Sequence, residues 1–249
     1  MRKSFVRRGL AAALAVFTGL TAVALTAAPA QADPTLAGVT LSTGTVVLDG
    51  DAGCANRVKV TYKVYDPAND AYVTGDVLGS DGDMVDFLFP SQSSRSGDYV
   101  YLTDWIFICG GFDPVGRYTI RTELEWTDDD FNSHVAERVD TFYVKRPTSL
   151  SYNATPEPVK KNSALTQTGV VKADPVGYGA KYGLKGAVVK FYFKADGAKA
   201  YVYQGQTTTG TGGRYSKKIK ATRSGLWKAV YEGNSFRQAQ TAYDAVKVR

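Results

Sequence analysis

The chain has 249 residues, 44% of them hydrophobic and 22% charged, with a formal net charge of +6. That length exceeds what one small β domain needs and is comfortable for two. A single histidine and two widely spaced cysteines exclude a His-Glu-x-x-His pair, a Cys-x-x-Cys redox centre and a thiol zinc site.

Residues 1–32 read as a secretory signal peptide. Arg2, Lys3, Arg7 and Arg8 form a cationic start, an apolar run follows from Leu10 to Leu25, and Ala30-Gln31-Ala32 supplies the small-x-small cleavage pattern. Arg7-Arg8 also admits twin-arginine export in place of the general route, although the hydrophobic consensus that normally follows is missing. The expected mature chain starts at Asp33. No later segment approaches the roughly 20 apolar residues of a membrane-spanning helix, so a soluble, secreted, extracellular protein is expected.

Strand signals follow. From Arg57 to Tyr65, Val58, Val60, Tyr62 and Val64 share one face while Arg57, Lys59, Thr61 and Lys63 share the other. From Gly116 to Trp126, Tyr118, Ile120, Thr122, Leu124 and Trp126 oppose Arg117, Thr119, Arg121, Glu123 and Glu125. Later, Val189, Phe191 and Phe193 oppose Val188, Lys190, Tyr192 and Lys194, and Trp227, Ala229 and Tyr231 oppose Leu226, Lys228 and Val230. A period of two marks strands with one buried face. Gly, Asn, Asp and Pro clusters punctuate these runs, and no sustained helical period appears after the leader. Each half also closes alike, with a strand opening at Gly116 or Gly225 followed by a last strand, Phe142–Arg146 or Val246–Arg249.

The expected fold is all-β: an acidic antiparallel sandwich over 33–146 and a basic one over 147–249, joined at Arg146-Pro147-Thr148 without a free linker. Cys54 and Cys109, an even pair in an exported chain, are expected to form a disulfide closing a loop of 55 residues. A loop of that size contributes roughly 4 kcal/mol in the chain-entropy account.

Charge divides at the same place. Residues 33–146 hold 9 Lys/Arg against 19 Asp/Glu, a net of −10, and residues 147–249 hold 17 against 5, a net of +12. The mature protein is therefore nearly neutral but strongly dipolar, which bears on partners rather than on fold.

The segments Phe191–Gly197, Gly212–Ser216, Ser224–Ala229 and Tyr231–Asn234, with Asn153–Lys161 before them, resemble the immunoglobulin-like domains of secreted actinobacterial proteins. The resemblance covers most of the second half. It implies tandem immunoglobulin-like β-sandwiches in an extracellular setting and carries no catalytic residue with it.

Candidate sites divide into three chemistries. If Lys190, Tyr192 and Lys194 point outward on the third strand of the basic sandwich, Lys228 on its penultimate strand lies close by. Lys247 and Arg249 belong to the same sheet, and Lys217, Lys218 and Lys220 lie near one edge. Such a face suits an anionic cell-wall polymer, an acidic polysaccharide or an acidic protein better than nucleic acid, and competes with the plain reading of lysines guarding an exposed β surface. A carbohydrate platform would use Tyr178 and Tyr182, or Tyr201 and Tyr203. The tryptophans Trp105, Trp126 and Trp227, with Tyr101, Phe107 and Tyr118, are expected in the core, Tyr118 as a corner tyrosine. The acidic turns at Asp49 and Asp51, and at Asp81 and Asp83, are oxygen-rich in the way calcium prefers, although neither completes an EF-hand and Asp-Gly turns need no metal.

No Gly-x-Ser-x-Gly turn or Walker loop occurs, and His134 lies in a polar turn. The expected protein is a non-catalytic binding or adhesion module without a cofactor. Charge-driven head-to-tail self-association and a calcium-dependent module are the alternatives.

Overall fold

A computed structural model describes residues 32–48, 53–66, 70–175 and 179–249. The signal peptide expected over residues 1–32, apart from Ala32, lies outside the described residues, as do Asp49, Asp51 and Tyr178. No helix among the described residues is long and apolar enough to cross a membrane.

The first nine strands are β1 (Thr35–Leu41), β2 (Thr45–Val47), β3 (Asn56–Tyr65), β4 (Tyr72–Leu78), β5 (Met84–Leu88), β6 (Ser91–Ser96), β7 (Tyr99–Ile108), β8 (Gly116–Thr127) and β9 (Ser133–Lys145). They form two sheets, ordered β1-β3-β7-β6 and β2-β9-β8-β4-β5. The next eight are β10 (Thr148–Thr155), β11 (Ala164–Ala173), β12 (Tyr182–Gly183), β13 (Val188–Ala195), β14 (Val202–Thr208), β15 (Arg214–Lys220), β16 (Gly225–Tyr231) and β17 (Gln240–Val246). These also form two sheets: β10-β11-β12 with β15 on β11, and β14-β13-β16-β17. Pairing is antiparallel except for β2 beside β9, which is parallel.

Alternation decides which face turns inward. In β3, Val58, Val60, Tyr62 and Val64 are buried, and in β8 so are Tyr118, Ile120, Thr122 and Leu124. The two sets meet in one apolar cluster, so the first two sheets pack face to face. The Tyr118 hydroxyl donates to the Pro114 carbonyl at 2.7 Å, the expected tyrosine corner at the mouth of β8. In the second sheet pair, Val171, Phe191, Tyr215 and Ala229 form one cluster and Leu165, Trp227 and Val246 another. Each fully buried large side chain contributes roughly 1.5–3 kcal/mol. Gly169 admits the Tyr215 ring: a Cβ there would lie 2.4 Å from the Tyr215 hydroxyl, which donates to the Ser151 carbonyl at 2.7 Å.

The Cys54–Cys109 disulfide is formed. It staples the ends of β3 and β7, which are neighbours in one sheet, where Asn56 stands opposite Ile108. The junction between the sheet pairs is anchored by hydrogen bonds. Arg146 is buried; its backbone N–H donates to Phe236 and its carbonyl accepts from Gln238, while its guanidinium donates to the Pro175 carbonyl at 2.6 Å.

Some sequence expectations need correction. Tyr101, Trp105 and Phe107 are not core residues: they stand on the outer face of β7, Trp105 and Phe107 38% and 48% exposed, because Val100, Ile106 and Ile108 hold the inward positions. The closing strand of the second half is Gln240–Val246, earlier than Val246–Arg249. Residues 247–249 leave that sheet to run beside Val159 and Lys161, where Val159 N–H donates to the Lys247 carbonyl at 3.0 Å and Lys161 N–H to that of Arg249 at 2.8 Å. Trp126 is partly buried against the first core, and Trp227, 2% exposed, is a core residue as expected.

Candidate functional site

The outer face of β14-β13-β16-β17 gathers tyrosine and lysine side chains. On β13 the burial of Val189 and Phe191 turns Lys190, Tyr192 and Lys194 outward. On β16 the burial of Trp227 and Ala229 does the same for Lys228. On β17, Asp244 faces inward and accepts the Ala154 backbone N–H at 2.7 Å, so Tyr243 beside it faces out.

A β-bulge completes the row. Phe191 pairs with Gly205, but Tyr192 pairs with Tyr203, so Gln204 is the extra residue on β14. Without it Tyr203 would face inward. Gly205 accommodates the irregularity at a φ of +116°, a conformation that favours glycine. The register then runs Tyr203, Tyr192, Lys228, Tyr243 straight across four strands.

The chain between β13 and β14 turns at Gly197 and carries Tyr201 back over this row. The Lys228 ammonium lies 4.3 Å from the Tyr201 ring centre and 4.7 Å from that of Tyr192. Lys194 lies 5.2 Å from the Tyr201 ring. Tyr192 meets Tyr203 edge-on at 5.6 Å, and Tyr201 meets Tyr243 at 6.4 Å. Each cation–π contact at such an exposed site contributes about 0.5–1 kcal/mol, so Lys228 is held rather than free to sweep. Tyr203 and Tyr243 remain 51% and 56% exposed. Partial burial, with Tyr243 alongside, pushes the Tyr201 phenol up, so it stays neutral.

Lys190 is set apart by Glu232, whose carboxylate lies 2.7 Å from its ammonium and raises its pKa. Lys194 and Lys228 are in no ion pair among the described residues. The face therefore offers two cations framed by ring faces and phenol hydroxyls. That arrangement can pair with carboxylate or phosphate while stacking on the apolar face of a sugar or on a planar group.

The other sequence-derived candidates lie elsewhere. Lys218 and Lys220 are on β15 in the opposite sheet, paired with Thr166 and Ala164. Lys247 and Arg249 run beside Val159 and Lys161, past the end of β17. Tyr182 is on β12, opposite Ala173 and beside the Lys181–Asp174 ion pair. Tyr201 and Tyr203 are candidates from sequence; Tyr243 is not, because the closing strand expected from sequence, Val246–Arg249, lies beyond it.

The acidic turn at Asp81 and Asp83 is self-capping. Asp81 accepts the Asp83 backbone N–H at 3.2 Å, as an Asp in a tight turn does. No group of three or more potential metal ligands occurs among the described residues. His134 lies 2.8 Å from the Asp128 carboxylate and stacks on Trp126 at 5.3 Å. That hydrogen bond, with Asn132 and Asp130 also donating, holds Asp128 well below the usual carboxylate range.

No family model and no curated protein matches the chain. Among solved structures, a superoxide reductase from Ignicoccus hospitalis covers 41% of this chain and 80% of its own at 18% identity, with a TM-score of 0.30. Salmonella alpha-2-macroglobulin covers 85% at 12% identity and a TM-score of 0.36, this chain spanning 15% of its length. The mouse nectin-like molecule 4 ectodomain, Ig1–Ig3, covers 88% at 12% identity and a TM-score of 0.30, this chain spanning 65% of it.

Proposed function

We propose that the protein is an exported, non-catalytic binding protein that holds an anionic polysaccharide or cell-wall polymer on the outer face of β14-β13-β16-β17. The row Tyr203-Tyr192-Lys228-Tyr243, with Tyr201 folded over Lys228, supports this reading most. Rings beside cations recognise a ligand that is apolar on one face and charged at its rim. Diffuse positive charge alone would not need them. The +12 charge of residues 147–249 adds a long-range field that draws a polyanion to the face. The test is binding of the mature chain to polygalacturonate, with neutral dextran as control, in low and high salt. The proposal expects binding to polygalacturonate only, weakening as salt rises. Equal binding to both polymers, or none to either, would contradict it.

A further inference from the structure

The acidic half holds its cations unevenly. Only 9 of its residues are Lys or Arg, yet Arg57, Lys59 and Lys63 all stand on the outer face of β3, since the inward positions belong to Val58, Val60, Tyr62 and Val64. Directly opposite on β7 stand Phe107, Trp105 and Tyr101, facing Arg57, Lys59 and Lys63 in turn. The Arg57 guanidinium lies 4.7 Å from the Trp105 ring, and the Lys63 ammonium 4.1 Å from that of Tyr99. The flanks are small or hydroxylic: Gly38 and Thr40 face β3 from β1, and Ser91, Ser94 and Ser96 face β7 from β6. These register positions of the outer face hold no Asp or Glu, on a half with 19 of them.

From this segregation we infer that the outer face of β1-β3-β7-β6 is a second binding site for an anionic polysaccharide of the uronate type. Its carboxylates pair with Arg57, Lys59 and Lys63, and its sugar rings lie on Trp105 and Phe107. Charge complementarity selects an anionic occupant. Along β3, Lys59 lies about 7 Å from Arg57 and about 14 Å from Lys63, so the ligand must repeat its charges, as a polymer does. The neighbouring serine and threonine hydroxyls suit a polyhydroxylated chain. The ligand class rests on the reading proposed above. The new element is that one protein would grip the polymer at two places, and a second attachment raises apparent affinity without new contacts at the first.

The test uses the mature chain, polygalacturonate as probe and sedimentation as a second readout. Arg57→Met with Lys59→Met should weaken binding roughly five- to tenfold at low salt. Trp105→Ala should weaken it while leaving the salt dependence intact. Combining the double variant with Lys228→Met should weaken binding more than either alone. If Trp105→Ala fails to fold, the charge variant decides. Unchanged binding in R57M/K59M with a loss in K228M overturns this inference and leaves the first site standing. No loss in any variant overturns both. A change in self-association without a change in polymer binding overturns it in favour of a second copy as occupant.

Discussion

Lys228→Met against Lys218→Met separates a built face from a diffuse field. Both substitutions remove one charge from the same half, and methionine keeps most of the side-chain length. Lys228 sits between two rings at 4.3 and 4.7 Å, whereas Lys218 is an exposed lysine on the opposite sheet. A carboxylate about 4 Å from an ammonium gains from about 1 kcal/mol at bulk-water screening to about 4 at surface-protein screening. Discounting for exposure leaves roughly 1 kcal/mol, or about a fivefold weakening at low salt. K218M should stay within about twofold, reflecting only the lost long-range field. Losing two cation–π contacts also lowers the K228M melting temperature by a few degrees. Isothermal titration calorimetry with polygalacturonate at low salt, beside thermal melts, reads both effects. Equal weakening in the two variants would refute the reasoning, because net charge rather than the tyrosine frame would then set affinity.

Other consequences follow from particular contacts. Gly169→Ala would bring a Cβ to 2.0 Å from the Ser151 carbonyl and 2.4 Å from the Tyr215 hydroxyl, so a loss of about 1–3 kcal/mol is expected in denaturant unfolding. Arg146→Met removes the guanidinium bond to Pro175 and should cost about 1.5–3 kcal/mol; unfolding unchanged in midpoint would show that the junction is not anchored as described. Asp128 titrates below the usual carboxylate range, so its contribution is present above the ordinary aspartate pKa and is lost as pH falls through the depressed value. His134→Ala should move that titration upward, as followed by NMR of the Asp128 carboxyl; an unmoved titration would deny the His134 bond its leading part.

The inward faces were legible because strands such as Arg57–Tyr65 put apolar residues on one side only. Strand β7 shows where that logic stops. Val100, Ile106 and Ile108 alternate with Tyr99, Tyr101, Trp105 and Phe107, so both faces are apolar and period alone cannot say which turns inward. Only the neighbouring strands decide that. Lys190, Tyr192, Lys194 and Lys228 share one sheet face because β13 and β16 are adjacent and share an outward phase. Lys218 and Lys220 were separated from them by sheet assignment, which depends on long-range pairing of β15 with β11. Tyr201 and Tyr203 owe their positions to a loop reversal and a bulge, single-residue events that strand patterns do not encode. Tyr243 lay in Gln240–Val246, a strand whose Asp244 at an inward-facing position breaks the apolar alternation.

The most direct test of the account is NMR titration of residues 33–249 with short oligogalacturonates, following tyrosine ring and lysine ammonium-methylene signals. The account predicts saturable shifts at Tyr192, Tyr201, Tyr203, Tyr243 and Lys228, diminished by salt, while Tyr182 and Lys218 stay still. Shifts spread evenly over every lysine of the basic half, with the tyrosine rings unmoved, would contradict it.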